Sequence, residues 1–236
     1  MRRTFEDARS WSAAGTELFL GAVAGWDEEQ YLAPCALPGW TRKHLVAHVA
    51  ANADALGNLV RWAATGERTP MYSSKERRDA DIEAGSARPA GELSAWLRES
   101  AARLAAGAAA LSAEQWNAGV VTAQGRTVPA TEIPWMRARE VYVHAVDLAA
   151  GVAFADLPTG FLTALADDVA GKRGNAPGPA VVLTATDTGD HWELPGDGAP
   201  AAVSGPLAEV VAYLAGRPHH LTATDGSPAP TLPAWL

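Results

Sequence analysis

The chain has 236 residues, of which 48% are hydrophobic and 19% charged, a composition typical of a globular protein with a sizeable core. Its formal charge of −8, with no Lys/Arg run to offset it, argues against nucleic acid as a partner. A single cysteine, Cys35, excludes an internal disulfide framework and indicates a reducing compartment. The apolar stretch 11–26 is interrupted by Glu17, and no apolar run is long enough to span a bilayer. We therefore predict a cytoplasmic protein with no membrane association, either a monomer or a small homo-oligomer.

Four long helices are predicted in the first two thirds of the chain. Thr41 is a suitable N-cap for the second, Gly66 a suitable C-terminal stop, and Pro134 suits the first turn of the fourth. The polar connection between Gly66 and Gly91 is long enough to be functional or partly helical. The predicted helices cover residues 5–23, 41–65, 91–111 and 134–150, and residues 124–129 are predicted to form a loop.

The composition of the sequence changes after Gly151, where short predicted elements alternate with glycine and proline residues. The predicted elements are helices at 159–170 and 206–214, strands at 181–183, 191–194 and near Leu221, and a turn at 174–178. These features predict an α+β fold class, with an antiparallel four-helix bundle in residues 1–152 and a smaller α+β domain in residues 153–236.

Two short segments carry the side chains best suited to bind a metal ion. His44 and His48 are four residues apart in one predicted helix, and Glu140 and His144 are four apart in another, so each pair shares a helix face. His48 also falls within the apolar stripe of its helix, which is unusual for histidine. Imidazole and carboxylate ligands favour zinc, and three protein ligands leave one coordination position open for chemistry.

The residues alone leave other interpretations open. His48 could be a buried histidine that is hydrogen-bonded to Glu140, and His44 could be a fourth ligand, a partner of the ligands or a surface residue at the helix start. Cys35 has no base close in sequence and is predicted to be a passive thiol. Arg217 follows a short helix, where an arginine often only interacts with the helix dipole.

Several strings spread over nearly the whole chain match a known family. They are Gly39–Arg42, His44–Ala50, Trp62–Ala63, Thr65–Glu67, Thr69–Tyr72, Thr122–Ala130, Trp135–Arg137, Arg139–Val141, His144–Leu148, Tyr213, Ala215–Arg217 and Trp235–Leu236. In these strings the chain resembles the mycothiol-dependent maleylpyruvate isomerases, whose N-terminal part belongs to the DinB-like metal-binding helical bundles. The sequence departs from the family mainly in the first helix, at residues 75–77 and at residues 171–199.

The resemblance implies roles for particular residues. The family's zinc ligands fall on His48, Glu140 and His144, and its catalytically important arginine falls on Arg217, whereas His44 is not a ligand in that pattern. The implied cofactors are zinc and mycothiol. The resemblance assigns no residues to the sugar part of mycothiol.

The implied activity is the cis–trans isomerisation of maleylpyruvate to fumarylpyruvate in gentisate-type aromatic degradation. It would proceed by reversible conjugate addition of a zinc-activated mycothiol thiolate, so the partners would be a small-molecule substrate and a low-molecular-weight thiol. One alternative is a mycothiol-dependent S-transferase that uses the same zinc thiolate on another electrophile. Another is a non-catalytic, zinc-stabilised binding protein, against which the open three-ligand set argues.

Overall fold

The structure, a computed structural model, describes residues 3–173 and 177–233 and divides the chain into two compact units. One unit is Thr4–Val152 and is mainly helical, whereas the other begins at Ala153 and combines helices with a small sheet. The predicted fold class, a helical bundle with a smaller α+β domain, is confirmed. Within the described ranges, no helix combines the length and the apolar character needed to cross a membrane.

Four long helices form the bundle, and shorter helices connect them. Thr41 is the N-cap of the second long helix, and Gly66 ends it in the left-handed conformation with φ of 75°. The connection that follows Gly66 contains a helix of its own. The helices are α1 (Phe5–Ala22), α2 (Glu28–Leu32), α3 (Arg42–Thr65), α4 (Lys75–Ser86), α5 (Ala90–Ala109), α6 (Ala113–Trp116) and α7 (Ile133–Asp147).

The long helices run in mixed directions. The guanidinium of Arg42, at the start of α3, donates to the carbonyl oxygens of Leu148 and Ala149, at the end of α7. These two helices are therefore antiparallel. In contrast, the Glu28 carboxylate accepts from both Lys43 and the backbone N–H of Ala90, which places the starts of α3 and α5 at the same end. Because α4 connects the end of α3 to α5, the chain can return to the start of α3 before α5 begins, and α5 then runs parallel to α3.

Close packing fixes α1 against α7. Gly15 of α1 is buried, and a Cβ atom at this position would lie 2.7 Å from the side chain of Val141 and 3.0 Å from that of Tyr142. The absence of a side chain at Gly15 therefore allows the two helices to approach closely. Since Val141 follows Glu140 directly, this contact helps to fix the backbone of α7 where the candidate ligands lie.

Residues 124–129, predicted to form a loop, are partly a strand. Strand β2 (Thr127–Pro129) pairs antiparallel with β1 (Gly119–Val121), and only the residues between the two strands form a turn. The loop prediction was therefore wrong at its C-terminal end. Three-residue strands carry too little alternation to be recognised in a sequence.

The second unit is built from α8 (Thr159–Arg173), β3 (Pro179–Ala185), β4 (His191–Leu194), β5 (Asp197–Gly205) and α9 (Leu207–Leu214). Its sheet has the order β4-β3-β5, in which β3 pairs antiparallel with β4 and parallel with β5. The sequence did not reveal β5, because this edge strand contains Pro200, Gly198 and several alanines and has little strand character.

Near Leu221 the described residues form only isolated bridges, from Ala223 to Val203 and from Thr222 to Pro228, and no continuous strand, so that prediction was wrong. Residues 174–176 of the predicted turn at 174–178 lie outside the described residues, as do Trp235 and Leu236.

Candidate functional site

The candidate ligands lie on the facing sides of α3 and α7. At the start of α3, Nδ1 of His44 accepts from the backbone N–H of Thr41 at 3.2 Å, which satisfies one of the donors left unpaired at a helix N-terminus. His48 lies one turn further along and is 6% exposed. Because α3 and α7 are antiparallel, this position faces Glu140 and His144, which are themselves one turn apart on α7.

The three side chains form a compact group. One atom from each of His48, Glu140 and His144 can be chosen so that all three lie within 4.8 Å of one another. The Oε2 atom of Glu140 is 3.0 Å from Nε2 of His48 and 3.3 Å from Nε2 of His144. Zinc ligands at about 2.1 Å in a tetrahedron lie about 3.4 Å apart. The donor types and the spacing therefore fit a divalent ion held by three ligands.

Burial and hydrogen bonding set the charges of the group. Burial lowers the pKa of His48 despite its hydrogen bond to Glu140, which favours a neutral imidazole at neutral pH. Burial alone would raise the pKa of Glu140, but hydrogen bonds with His144 and His48 bring it well below the usual value. Burial likewise opposes the charge of His144, yet hydrogen bonds to Asp147 and Glu140 raise its pKa to about 9. Without a metal ion, the group is thus an ionised carboxylate beside an imidazolium and a neutral imidazole.

Asp147 is a residue that the sequence reasoning did not single out. Its side chain is fully buried, and its Oδ2 lies 2.9 Å from Nδ1 of His144. A carboxylate at this nitrogen leaves Nε2 of His144 directed at Glu140 and available to a metal ion. The available signal was a carboxylate three residues after His144, on the same helix face and within an apolar segment.

Arg78 of α4 is a second such residue. One of its terminal nitrogens lies 3.4 Å from Nδ1 of His48, and its guanidinium lies 6.0 Å from the ring centroid of Tyr72. Burial, followed by the charge of Glu140, raises the pKa of Tyr72 to about 12, so the phenol is neutral at pH 7. No sequence signal distinguishes Arg78 from the other charges of this polar helix.

His44 is not part of the His48–Glu140–His144 group. Its Nδ1 is engaged by Thr41, and its Nε2 is 3.6 Å from Oε2 of Glu83. Trp40 stacks on the His44 ring with the centroids 6.2 Å apart and presents an edge or face to His48 at 5.8 Å. His44 therefore supports the start of α3, one turn before the candidate ligand.

Neither Cys35 nor Arg217 is a member of the three-residue ligand group. The Cys35 thiol is half-buried and donates to the carbonyl oxygen of Trp40, and burial raises its pKa, which disfavours a thiolate nucleophile at pH 7. Arg217 belongs to the second unit, where it follows Gly216 at the end of α9. Its guanidinium donates to the carbonyl oxygen of Ala215 at 2.6 Å, as expected for a cation at a helix C-terminus.

In the metal-free protein we expect His144 to titrate near pH 9, because Asp147 and Glu140 stabilise its protonated form. The stability contributed by this imidazolium should be fully present below the ordinary pKa of 6.5 and should be lost as the pH rises through about 9. Heteronuclear NMR of the imidazole nitrogens, assigned with His144→Asn, measures the titration. Asp147→Asn should shift it to lower pH, and a wild-type midpoint near 6.5 would contradict the expectation.

Comparison with known proteins identifies relatives of the whole chain. The family model of the mycothiol maleylpyruvate isomerase N-terminal domain matches residues 12–149. The crystal structure of the mycothiol-dependent maleylpyruvate isomerase is 38% identical in sequence with a TM-score of 0.93, and the match covers 99% of this chain and 98% of that chain. A crystal structure of a histidine-to-alanine mutant of that isomerase matches with the same identity, coverage and TM-score. No curated protein matches the chain. The family model spans more than half of the chain and the structural match nearly all of it, so this protein belongs to the mycothiol-dependent maleylpyruvate isomerase family.

Proposed function

We propose that this protein is an isomerase that converts maleylpyruvate to fumarylpyruvate with mycothiol as its thiol cofactor. The observation that carries the proposal is the group of His48, Glu140 and His144, in a chain that is 38% identical over almost its full length to an isomerase of that activity. A structural zinc site usually has four protein ligands, whereas a catalytic site has three and leaves one coordination position open for a reacting group.

The proposed metal ion is zinc, held by His48, Glu140 and His144. Two imidazoles and one carboxylate are a common zinc ligand set at catalytic sites. Asp147 would keep the proton of neutral His144 on Nδ1 and so leave Nε2 for the metal. His48 is already favoured as neutral, and Glu140 as ionised, so both have the protonation state that a ligand needs.

The chemistry requires a nucleophile. Rotation about the cis double bond of maleylpyruvate requires temporary single-bond character, which reversible addition of a thiolate supplies without net oxidation or reduction. Zinc at this site would lower the pKa of a coordinating thiol, so that mycothiol is present as the thiolate at neutral pH. The burial of His48 and Asp147 limits the access of water to the ligands, which strengthens electrostatic effects there.

Arg217 is proposed to hold a carboxylate of the substrate or the enolate oxygen that develops after thiol addition. A guanidinium can donate two parallel hydrogen bonds to such groups. The proposal rests on the family resemblance of residues 215–217 together with the chemistry of arginine. Cytoplasmic location is proposed from the single cysteine and from the need for a reduced low-molecular-weight thiol.

We expect purified zinc-loaded protein to convert maleylpyruvate to fumarylpyruvate only when mycothiol is present. The reaction can be followed by ultraviolet absorbance, with the product identified by chromatography. The matched control is the same protein after zinc removal by a chelator. A product that retains the thiol would favour the S-transferase. No conversion with both zinc and mycothiol present would contradict the isomerase.

We expect His48→Ala to abolish both stoichiometric zinc binding and activity, because two remaining ligands hold zinc poorly. His44→Ala is the matched control: it removes an imidazole from the same helix face, but His44 binds Thr41 and lies outside the ligand group. It should therefore retain about one zinc ion per chain. Metal content by mass spectrometry and the rate of isomerisation measure both effects. Zinc retained by His48→Ala would show that the ligand set is wrong.

We expect Arg217→Ala to retain zinc while kcat/KM falls by about a hundredfold, the usual effect of removing one donor to a developing negative charge. Arg217→Lys should restore part of the loss, because it keeps the charge but not the two-pronged geometry. Arg61→Ala, which removes an exposed arginine on α3, is the control and should change neither quantity. Loss of zinc in Arg217→Ala would exclude the proposed role.

A further inference from the structure

We propose that the helical unit has a second ligand site, a cavity between α1 and α5 that binds an organic anion with an apolar body. None of the residues that line it belongs to the His48–Glu140–His144 group. The inference is independent of the proposed isomerase activity.

The cavity arises from the packing of the bundle. Close packing holds α1 against α7, and α5 lies beside α3, so α1 and α5 face each other across a gap. The gap has a volume of about 350 Å³, which is within the usual range of small-molecule sites. Alanines of α5, among them Ala101, Ala105 and Ala108, form one wall, and Trp116 and Ile133 contribute larger apolar surfaces. Alanines at positions that could carry leucine leave this space unfilled.

A buried cation lines the same cavity. Arg137 is only 2% exposed, and one of its terminal nitrogens donates to the carbonyl oxygen of Val49 at 2.8 Å and to Oδ1 of Asn52 at 3.0 Å. Both of these acceptors are uncharged. The Nε of Arg137 is buried and has no hydrogen-bond partner among the described residues. Glu140 and Asp54 act on the guanidinium electrostatically, but these two hydrogen bonds are to uncharged acceptors, and an anion in the cavity would add a direct charged partner.

The charges that line the cavity also favour an anion. Three arginines, Arg9, Arg98 and Arg137, line it against one carboxylate, that of Glu17. Because Arg9 is paired with Glu6 at 3.3 Å, the excess positive charge comes from Arg98 and Arg137. This positive excess contrasts with the net charge of −8 of the whole chain. Burial lowers the pKa of Arg137 to about 10, which still leaves it charged at pH 7. The apolar walls and the cationic groups together fit a carboxylate that carries a hydrocarbon chain or ring.

The experiment measures binding of octanoate to the zinc-loaded protein by titration calorimetry, with octanamide as the uncharged analogue. Octanoate should bind at least about tenfold more tightly than octanamide, because only the carboxylate can pair with the arginines. Ala105→Phe, which fills the cavity from the α5 wall, should weaken octanoate binding by about tenfold or more. The matched control is Ala106→Phe on the same helix: Ala105 and Ala106 are both exposed, but only Ala105 lines the cavity, so the affinity of Ala106→Phe should equal that of the wild type.

Other outcomes would overturn the proposal. They are equal affinity for octanoate and octanamide, no binding up to about 10 mM, or equal affinity in Ala105→Phe and Ala106→Phe. Octanoate binding that disappears in His48→Ala would show that the carboxylate binds at the metal centre instead. Because this readout does not involve isomerisation, failure of the second site and failure of the proposed activity are distinguishable.

Discussion

The half-buried carboxylate of Glu140 imposes the strictest physical constraint on the helical unit. Its Oε2 lies 3.0 Å from one imidazole and 3.3 Å from another, and the hydrogen bonds keep it ionised although it is largely removed from water. Without these hydrogen bonds, removal from water would raise the pKa of the carboxyl group. The charge is sustained because Asp147 holds His144 in its protonated form on the far side of the ring. A divalent ion in the same place would replace that proton and keep the carboxylate compensated, so the site is suited to exchange one positive charge for another.

The register between α3 and α7 keeps these groups together, and arginines fix it on both sides of the ligands. Towards the end of α7, Arg42 donates to the carbonyl oxygens of Leu148 and Ala149. On the other side, Arg137 donates to the carbonyl oxygen of Val49. Charge-assisted hydrogen bonds of this kind each contribute roughly 1.5–3 kcal/mol. A shift of either helix by one turn would break both sets and separate His48 from Glu140, so the positions of the ligands follow from backbone contacts as well as from side-chain packing.

The four long helices and the ligand pairs could be predicted from the sequence because their signals are local. Thr41, Gly66 and Pro134 mark helix ends, and four-residue spacing places side chains on one face. Spacing alone treats His44 like His48, but His44 was favoured as a surface or supporting residue, and the family pattern and the structure both leave it outside the group. The roles of Asp147 and Arg78 could not be predicted from pattern, because the sequence does not show which acidic or basic side chains the fold brings next to an imidazole. Strand β5 was missed because its residues favour turns, and its pairing with β3 is a tertiary effect.

The ligands are far apart along the chain, and this has a consequence for biosynthesis. His48 and Glu140 are separated by 92 residues, so the complete donor set does not exist until α7 has been made and has folded against α3. A partly synthesised chain that ends before α7 contains only one of the three candidate ligands, His48. In the proposed zinc protein, the complete site would form only with the folded bundle, and the ion would then join two distant segments much as a cross-link does. Unfinished chains that lack α7 would therefore lack two of the three proposed ligands.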